Sequence, residues 1–578
     1  MDFKSGFGRF FIIEMFINIA ILVFTAGFVV SSHFPPWESW HNEAPSFLAL
    51  FLISCSVLRR VLKERRSVIE IPFLALLPIL VVAIAIIQMM TGLLFYTGEL
   101  LVIFLYMSLC MQGLIVGFLA SRQMGDIDDL KTIPESLGWA LLFAALTSTF
   151  IVLAQSTCMD LYSAIILSTE NYANPGAHLG QRNHIATLGV MGIVSCIYLQ
   201  SQKKISSILA YLLLLVIGVG LIATQSRTGM LSLLFVIIWL IAKCKINRSS
   251  KNITTFILIL IIALFQFWPT FMNKLHIIHG VNAIKMRDLN DVRMQIWQSL
   301  WSAVLERPWF GWGINHTSIA HNAIAHAQPN VGAAFTYSHN LFLDMAIWIG
   351  LPITILLAIY SIIWLYFRLK STQSDISWLG VGIILPFMAH SMLEYPFAYA
   401  YFLFPVSIYL GMIEGSLNKK TIRICYEFFL LLVFITGIAL TWSVVDYIKA
   451  EEKYRTARFE MLHIGQDKSA KNELDFIALN QLGGLINGIN RPITKSMSNK
   501  DIDSLRDLAL MYPSSPMPYR YILALALNGG QKEAFRQLDV IYAQNEIKYS
   551  LSVCNNLIVE LKSQGVNWPN NCDSVKPN

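Results

Sequence analysis

Long apolar runs constrain this chain more than any other feature. About thirteen punctuate the sequence, most of them near the 17–25 residues that carry a helix across a bilayer. They lie near 10–31, 45–58, 72–90, 99–120, 136–156, 184–200, 205–224, 229–242, 253–270, 341–366, 378–394, 397–414 and 423–443, the second and eighth being short. Only 14% of residues are charged, where a soluble chain carries about a quarter. The expected fold class is therefore an all-α polytopic membrane protein. The first run follows Lys4 and Arg9, as in a signal peptide. It lacks a small-residue cleavage site and precedes further spans, so it reads as an uncleaved first helix.

Charge in the connecting loops sets the expected orientation. Lys and Arg concentrate in alternate loops: Arg59 to Arg66, Lys203-Lys204, Lys243 to Lys251, Arg368 to Lys370 and Lys419 to Arg423. The short loops between them are nearly free of positive charge apart from Arg182 and Arg227. This pattern puts the N-terminus in the cytoplasm, and an odd number of spans puts the C-terminal tail outside. All the candidate chemistry then faces outward, so ATP and soluble nucleotide-sugars are not the expected substrates. No nucleic-acid partner is expected.

Four regions follow: transmembrane helices over 1–270, an outer loop over 271–340, further transmembrane helices over 341–449, and a polar helical tail over 450–578. A loop as long as 271–340 is either functional or disordered. Its cluster Pro308-Trp309-Phe310-Gly311-Trp312-Gly313 argues against disorder. In the tail, Tyr519–Leu527, Asn528-Gly529-Gly530 and Lys532–Gln544 resemble one tetratricopeptide-like (TPR-like) hairpin. A small helical cap without binding function fits equally well. The eight cysteines show no metal-ligand spacing. Six lie in or beside apolar runs; Cys554 and Cys572, in the tail, could pair in an oxidising compartment.

Each polar group near a span end has a functional and a structural reading. His339, in Tyr337-Ser338-His339-Asn340, could take a proton from a hydroxyl near neutral pH; equally, this stretch could simply cap a helix. Arg227, in the short turn Gln225-Ser226-Arg227-Thr228, suits a diphosphate by its planar fork, or snorkels toward headgroups. Gly180-Gln181-Arg182-Asn183-His184 offers several donors to a polar ligand, or is a capped helix start, and His184 competes with His339 as a base. Arg287 and Arg293 flank Asp288 and Asp291, which allows a local ion-pair network. Trp309 and Trp312 read as interface anchors. Tyr395, in the turn Glu394-Tyr395-Pro396, either donates to a substrate or joins the aromatic belt. Asp126-Ile127-Asp128-Asp129 reads as a solvated inner loop rather than a metal site, and neither metal nor cofactor is expected.

Arg293-Met294-Gln295-Ile296-Trp297, the Pro308–Gly313 cluster and Ser338-His339-Asn340 before a span resemble the O-antigen ligase/polymerase (Wzy_C) superfamily. Gly180 to His184 and the long tail resemble its PglL branch, the bacterial protein O-oligosaccharyltransferases. The resemblance implies an inner-membrane enzyme with a periplasmic site. Such an enzyme moves a preassembled glycan en bloc from undecaprenyl diphosphate to a serine or threonine of a protein, often a type IV pilin. It further implies His339 as the essential loop histidine, Gln181 and Tyr395 as substrate-binding residues, Arg227 and Arg293 as diphosphate ligands, and Arg182 beside them. The lipid-linked oligosaccharide, an acceptor protein and the bilayer are the implied partners.

Two other readings remain open at this stage. A sister enzyme would ligate or polymerise O-antigen on lipid, and acceptor choice is not written in the shared motifs. A transporter would need broken helices and internal repeats, whereas Glu14 and Gln88 stand alone among apolar residues. The external tail favours a protein acceptor, because a lipid acceptor needs no such docking surface.

Overall fold

The computed structural model describes residues 4–122, 130, 132–157, 166–167, 175–274, 289–325, 332, 334–417, 420–461, 475–569 and 572. Arg287, Asp288, Cys158 and the Asp126–Asp129 run lie outside the described residues. The first helices are α1 (Lys4–Ala26), α2 (Trp40–Lys63), α3 (Leu76–Met90), α4 (Thr97–Ser121), α5 (Ile133–Ser156) and α6 (Arg182–Ser201). Next come α7 (Ser207–Ala223), α8 (Arg227–Lys243), α9 (Arg248–Phe265), α10 (Trp268–Lys274), α11 (Leu289–Glu306), α12 (Thr317–Ile324) and α13 (Leu341–Ile349). After these run α14 (Leu351–Ser371), α15 (Asp375–Ser391), α16 (Ala400–Gly415) and α17 (Tyr426–Met461). The tail holds α18 (Asn480–Asn490), α19 (Asn499–Met511), α20 (Met517–Leu527), α21 (Gln531–Gln544) and α22 (Ile547–Ser563).

A helix stands at each expected apolar run, and among the described residues eight are long and apolar enough to cross a membrane. The chain is a multi-pass membrane protein. Two expectations are corrected. The run 341–366 is not one continuous helix: Gly350, at φ +86°, separates the short α13 from α14, and α14 is the one long and apolar enough to cross a membrane. The 271–340 region is not a plain loop, since it contains α11 and α12. The helical fold also carries one short ribbon. β1 (Val68–Ile71) and β2 (Ile422–Cys425) form an antiparallel ribbon with Glu70 opposite Arg423. Both segments are rich in β-branched residues, where strand pairing satisfies backbone groups that no helix reaches.

The chain divides into two compact units. The first comprises residues 1–81, 104–284 and 362–440; the second comprises 82–103, 285–361 and 441–578.

In the first unit α6 lies at the centre, buried along nearly its whole length from Asn183 to Gln200. Small residues permit this: a Cβ on Gly192 would strike Ala145 of α5, so glycine lets the two backbones approach. In lipid, where apolar contact alone drives little association, such close approach is the main source of packing energy.

In the second unit α11, α12 and α13 share a core of Ile296, Leu300, Val304, Trp312, Ala320 and Ile347. Trp312 is thus a core residue and not an interface anchor: it is 7% exposed and its indole N–H donates to the Ala303 carbonyl at 2.8 Å. Trp309, 68% exposed, keeps the anchor reading. The Pro308–Gly313 cluster clasps the α13–α14 break. The Trp312 amide donates to the Ile347 carbonyl at 2.7 Å, and the Leu351 amide to the Pro308 carbonyl at 2.7 Å. A side chain on Gly350 would run into the Trp309 backbone, so this contact requires glycine.

Gln88 is not an isolated polar residue. Its amide donates to the Trp348 carbonyl at 2.8 Å and accepts from the Ile314 amide at 3.0 Å. In the tail, α20 and α21 form a hairpin about Gly529, at φ +82°, and Cys554 and Cys572 are joined by a disulfide.

Candidate functional site

The sequence-predicted residues fall into two clusters, one within each unit.

His339 belongs to the second unit. Its backbone is left-handed, φ +60°, a state that costs a residue with a Cβ about 1–2 kcal/mol. Both neighbours are pinned, which holds it there. Asn340 caps α13, its side-chain oxygen accepting from the Phe342 and Leu343 amides at 3.1 Å. Ser338 donates its hydroxyl to the Asn340 carbonyl at 2.9 Å and its amide to Asp344 Oδ1 at 2.8 Å. The Trp297 indole donates to the Ser338 carbonyl at 2.9 Å. The capping role suggested for this stretch therefore belongs to Asn340, and it leaves the imidazole half-exposed, beside the Phe335 ring at 6.4 Å.

Arg293 stands one helical turn before Trp297 on α11, so both project from the same helix face. That brings Arg293 to the side of α11 that holds the His339 turn.

Asp344 is the residue that the sequence reading missed. It is fully buried and also accepts from the Thr317 hydroxyl at 2.9 Å. Thr317 in turn accepts from the Trp348 indole at 2.8 Å. Burial raises the Asp344 carboxyl to about 7, against the opposing pull of the Ser338 and Thr317 bonds. Its signal was a lone acid in the first turn of an apolar helix. His321 on α12 went unnoticed too. Burial lowers its imidazole to about 4, so it remains neutral.

Gln181, Arg182, Arg227 and Tyr395 belong to the first unit. A buried chain of hydrogen bonds ties their three segments together. The Ser226 hydroxyl donates to Asn183 Oδ1 at 2.6 Å, and Asn183 Nδ2 donates to Glu394 Oε1 at 3.0 Å. Arg182, Arg227 and Tyr395 are the immediate sequence neighbours of these three residues. Ser226 also caps α8 by accepting from the Gly229 amide at 3.0 Å, which sets Arg227 at the first helical position, exposed.

Burial, reinforced by the Glu394 charge, raises the Tyr395 phenol above its ordinary value. It stays protonated and can donate a hydrogen bond. Its ring stacks on Tyr399 at 6.0 Å. Gln181 precedes α6 without capping it by its side chain, and the side-chain oxygen of Gln181 is buried with no hydrogen-bond partner among the described residues. His184 is only 1% exposed and meets the Tyr401 hydroxyl at 2.8 Å. It packs the bundle and is poorly placed to meet an external hydroxyl, which leaves His339 as the candidate base. Glu43, at the start of α2, is held by Trp37, Ser39, Tyr106 and the Ala400 amide and anchors the adjoining α16.

Among the described residues no group of three or more His, Cys, Asp or Glu side chains could hold a metal ion. The chemistry on offer is hydrogen bonding, cationic charge and proton transfer by an imidazole.

Residues 210–358, which carry Arg227, Arg293 and His339, match the O-antigen ligase family domain. Residues 378–546, which carry Tyr395, match the C-terminal domain of a virulence-factor membrane-bound polymerase family. The chain is 26% identical over 448 residues to a general O-oligosaccharyltransferase of Acinetobacter baylyi (strain ATCC 33305 / BD413 / ADP1), covering 75% of this chain and 76% of the relative. It is 25% identical over 496 residues to a ComP-specific O-oligosaccharyltransferase of the same strain, covering 82% of this chain and 86% of the relative. The chain carries O-antigen ligase family domains and is a homologue of the Acinetobacter O-oligosaccharyltransferases.

Proposed function

We propose that this protein is an O-linked oligosaccharyltransferase of the bacterial inner membrane, with thirteen spans and its site and tail in the periplasm. It moves a preassembled glycan en bloc from undecaprenyl diphosphate to a serine or threonine of a periplasmic protein such as a type IV pilin. The observation that carries this reading is His339, half-exposed in a turn pinned on both sides, inside the stretch that matches the O-antigen ligase domain. The names of the two relatives support a protein acceptor. The Cys554–Cys572 disulfide supports an oxidising compartment for the tail.

In this mechanism His339 takes the proton of the acceptor hydroxyl as its oxygen attacks the anomeric carbon. The bond from that carbon to the diphosphate oxygen breaks, and undecaprenyl diphosphate departs with the electron pair. A single displacement inverts the anomeric centre. Arg227 and Arg293 neutralise charge growing on the leaving diphosphate, where electrostatic stabilisation contributes most. Tyr395 and Gln181 orient the substrate by hydrogen bonds, with Arg182 adding charge. The diphosphate leaves readily enough for the step to proceed without a metal.

The test is mass spectrometry of periplasmic proteins from cells with the wild-type chain, no chain, or His339→Ala, with lipopolysaccharide run alongside. Loss of protein glycosylation in both defective strains, with lipopolysaccharide intact, is the expected result. Intact protein glycans with truncated lipopolysaccharide would replace this reading by lipid-directed O-antigen ligation, which the description of the matched domain favours.

A further inference from the structure

Two membrane-crossing helices meet end to end in the second unit. α3 ends at Met90 and α14 begins at Leu351, and both are long and apolar enough to span. Gln88, in the last turn of α3, donates to the carbonyl of Trp348, just before α14 starts, at 2.8 Å. Span ends held together in this way mark one membrane surface. Within the membrane both helices offer apolar side chains to lipid: Ile87 is 59% and Leu356 67% exposed.

Trp309 and Phe310 stand at this surface. The Leu351 amide bonds the Pro308 carbonyl, and a Cβ on Gly311 would strike the backbone of Ile347 and Trp348. The exposed Trp309 and Phe310 are thereby fixed beside the first turn of a spanning helix, the level that aromatic side chains favour.

α11 leads into this clasp, and it is not among the helices long and apolar enough to cross. Its inner face, Ile296, Leu300, Ala303 and Val304, belongs to the core shared with α12 and α13. On the opposite face Met294, Trp301 and Leu305 are 52%, 46% and 59% exposed. With Gln298 they recur at i, i+4, i+7 and i+11, which makes one stripe about 16 Å long. No charged residue interrupts it. The exposed Gln295 and Glu306 each stand one position on from a stripe residue, about 100° around the helix. Such a face, continued by Trp309 and Phe310, costs free energy in water and is stabilised at a bilayer boundary.

We propose that α11 lies along the membrane surface marked by Met90 and Leu351, with its exposed stripe, Trp309 and Phe310 seated in the lipid. Lipid is the occupant because the stripe continues, through the clasp, into the lipid-facing side of α14. The seat stands independently of the glycan-transfer reading. Where that reading holds, the seat also sets the height of His339, since Trp297 of α11 holds the Ser338 carbonyl. The turn then rides on a helix anchored in the phase that carries the donor lipid.

The full chain is reconstituted in dioleoylphosphatidylcholine vesicles with photoreactive p-benzoylphenylalanine replacing Trp301, Leu305 or Phe310 in turn. After irradiation the adducts are read by mass spectrometry, with Leu356 as the lipid-facing reference and Glu306 as the water-facing one. Phospholipid adducts at the three positions are expected to approach the Leu356 yield and exceed the Glu306 yield at least about ten-fold. All five side chains are exposed, so the replacements are expected to leave the fold intact. Should one not fold, the other positions decide. Yields at the Glu306 level would overturn the proposal by leaving the stripe in water, open to a protein partner. Adducts to another part of the same chain, or cross-linked pairs of chains, would overturn it by assigning the stripe to the chain itself or to a second copy.

Discussion

Asp344 Oδ1 lies 2.8 Å from the Ser338 amide nitrogen, across the turn that presents His339. An acid buried in an apolar helix thus holds the backbone of the candidate catalytic residue, helped by the Thr317 hydroxyl on the same oxygen. Asp344→Ala removes both acceptor contacts and is expected to lower the stability by about 1–3 kcal/mol. It should also depress glycan transfer at least ten-fold. Asp344→Asn keeps an acceptor oxygen and retains more of both. Melting curves and glycoprotein mass spectra on the same variants measure the two effects.

The same carboxyl makes the stability depend on pH. Its folded value of about 7 exceeds the ordinary value of about 4 for an unfolded aspartate. The folded state therefore holds the proton more tightly, and this contribution is full below about pH 4 and lost as pH rises through about 7. The melting temperature of the wild type should fall across that window relative to Asp344→Asn, which has no such proton. Parallel profiles for the two proteins would contradict the assignment.

Asn183 spends both ends of its amide on the Ser226–Glu394 chain. Asn183→Leu leaves the site filled but breaks both bonds, at an expected cost of about 1–3 kcal/mol. Since Arg182, Arg227 and Tyr395 adjoin the three members, transfer should drop further than the change in melting temperature explains. Steady-state kinetics with purified donor and acceptor would reveal this as a raised donor KM.

Arg227 is exposed, so Arg227→Ala should change stability by less than about 0.5 kcal/mol. Its transfer activity should nevertheless be largely lost. Arg227→Lys should restore little, because an ammonium lacks the planar fork that grips two phosphate oxygens. Full activity in the lysine variant would reduce the role of Arg227 to that of a point charge.

Cys554 and Cys572 close a loop with a sequence separation of 18. Cys554→Ser is expected to cost about 2–4 kcal/mol, read as a lower melting temperature of the tail. Dithiothreitol should lower the wild type to the level of the variant and leave the variant unchanged.

By itself the sequence determined that the chain is a helical membrane protein, because apolar runs of spanning length leave a backbone no other way to satisfy its polar groups in lipid. Local patterning also singled out the Ser338-His339-Asn340 turn and the segments of Gln181, Arg227 and Tyr395, since polar residues at span ends stand out against apolar neighbours. Tertiary structure alone decided the break at Gly350, the burial of Trp312 and the ribbon pairing Val68–Ile71 with Ile422–Cys425. Each depends on a partner far along the chain: Gly350 on Trp309, Trp312 on Ile347, one strand on the other. Asp344 reads in sequence as a flaw in a hydrophobic run. It becomes the support of His339 only once folding brings Thr317 and the Ser338 amide to the same oxygen, because a buried carboxyl is tolerable only where such donors converge.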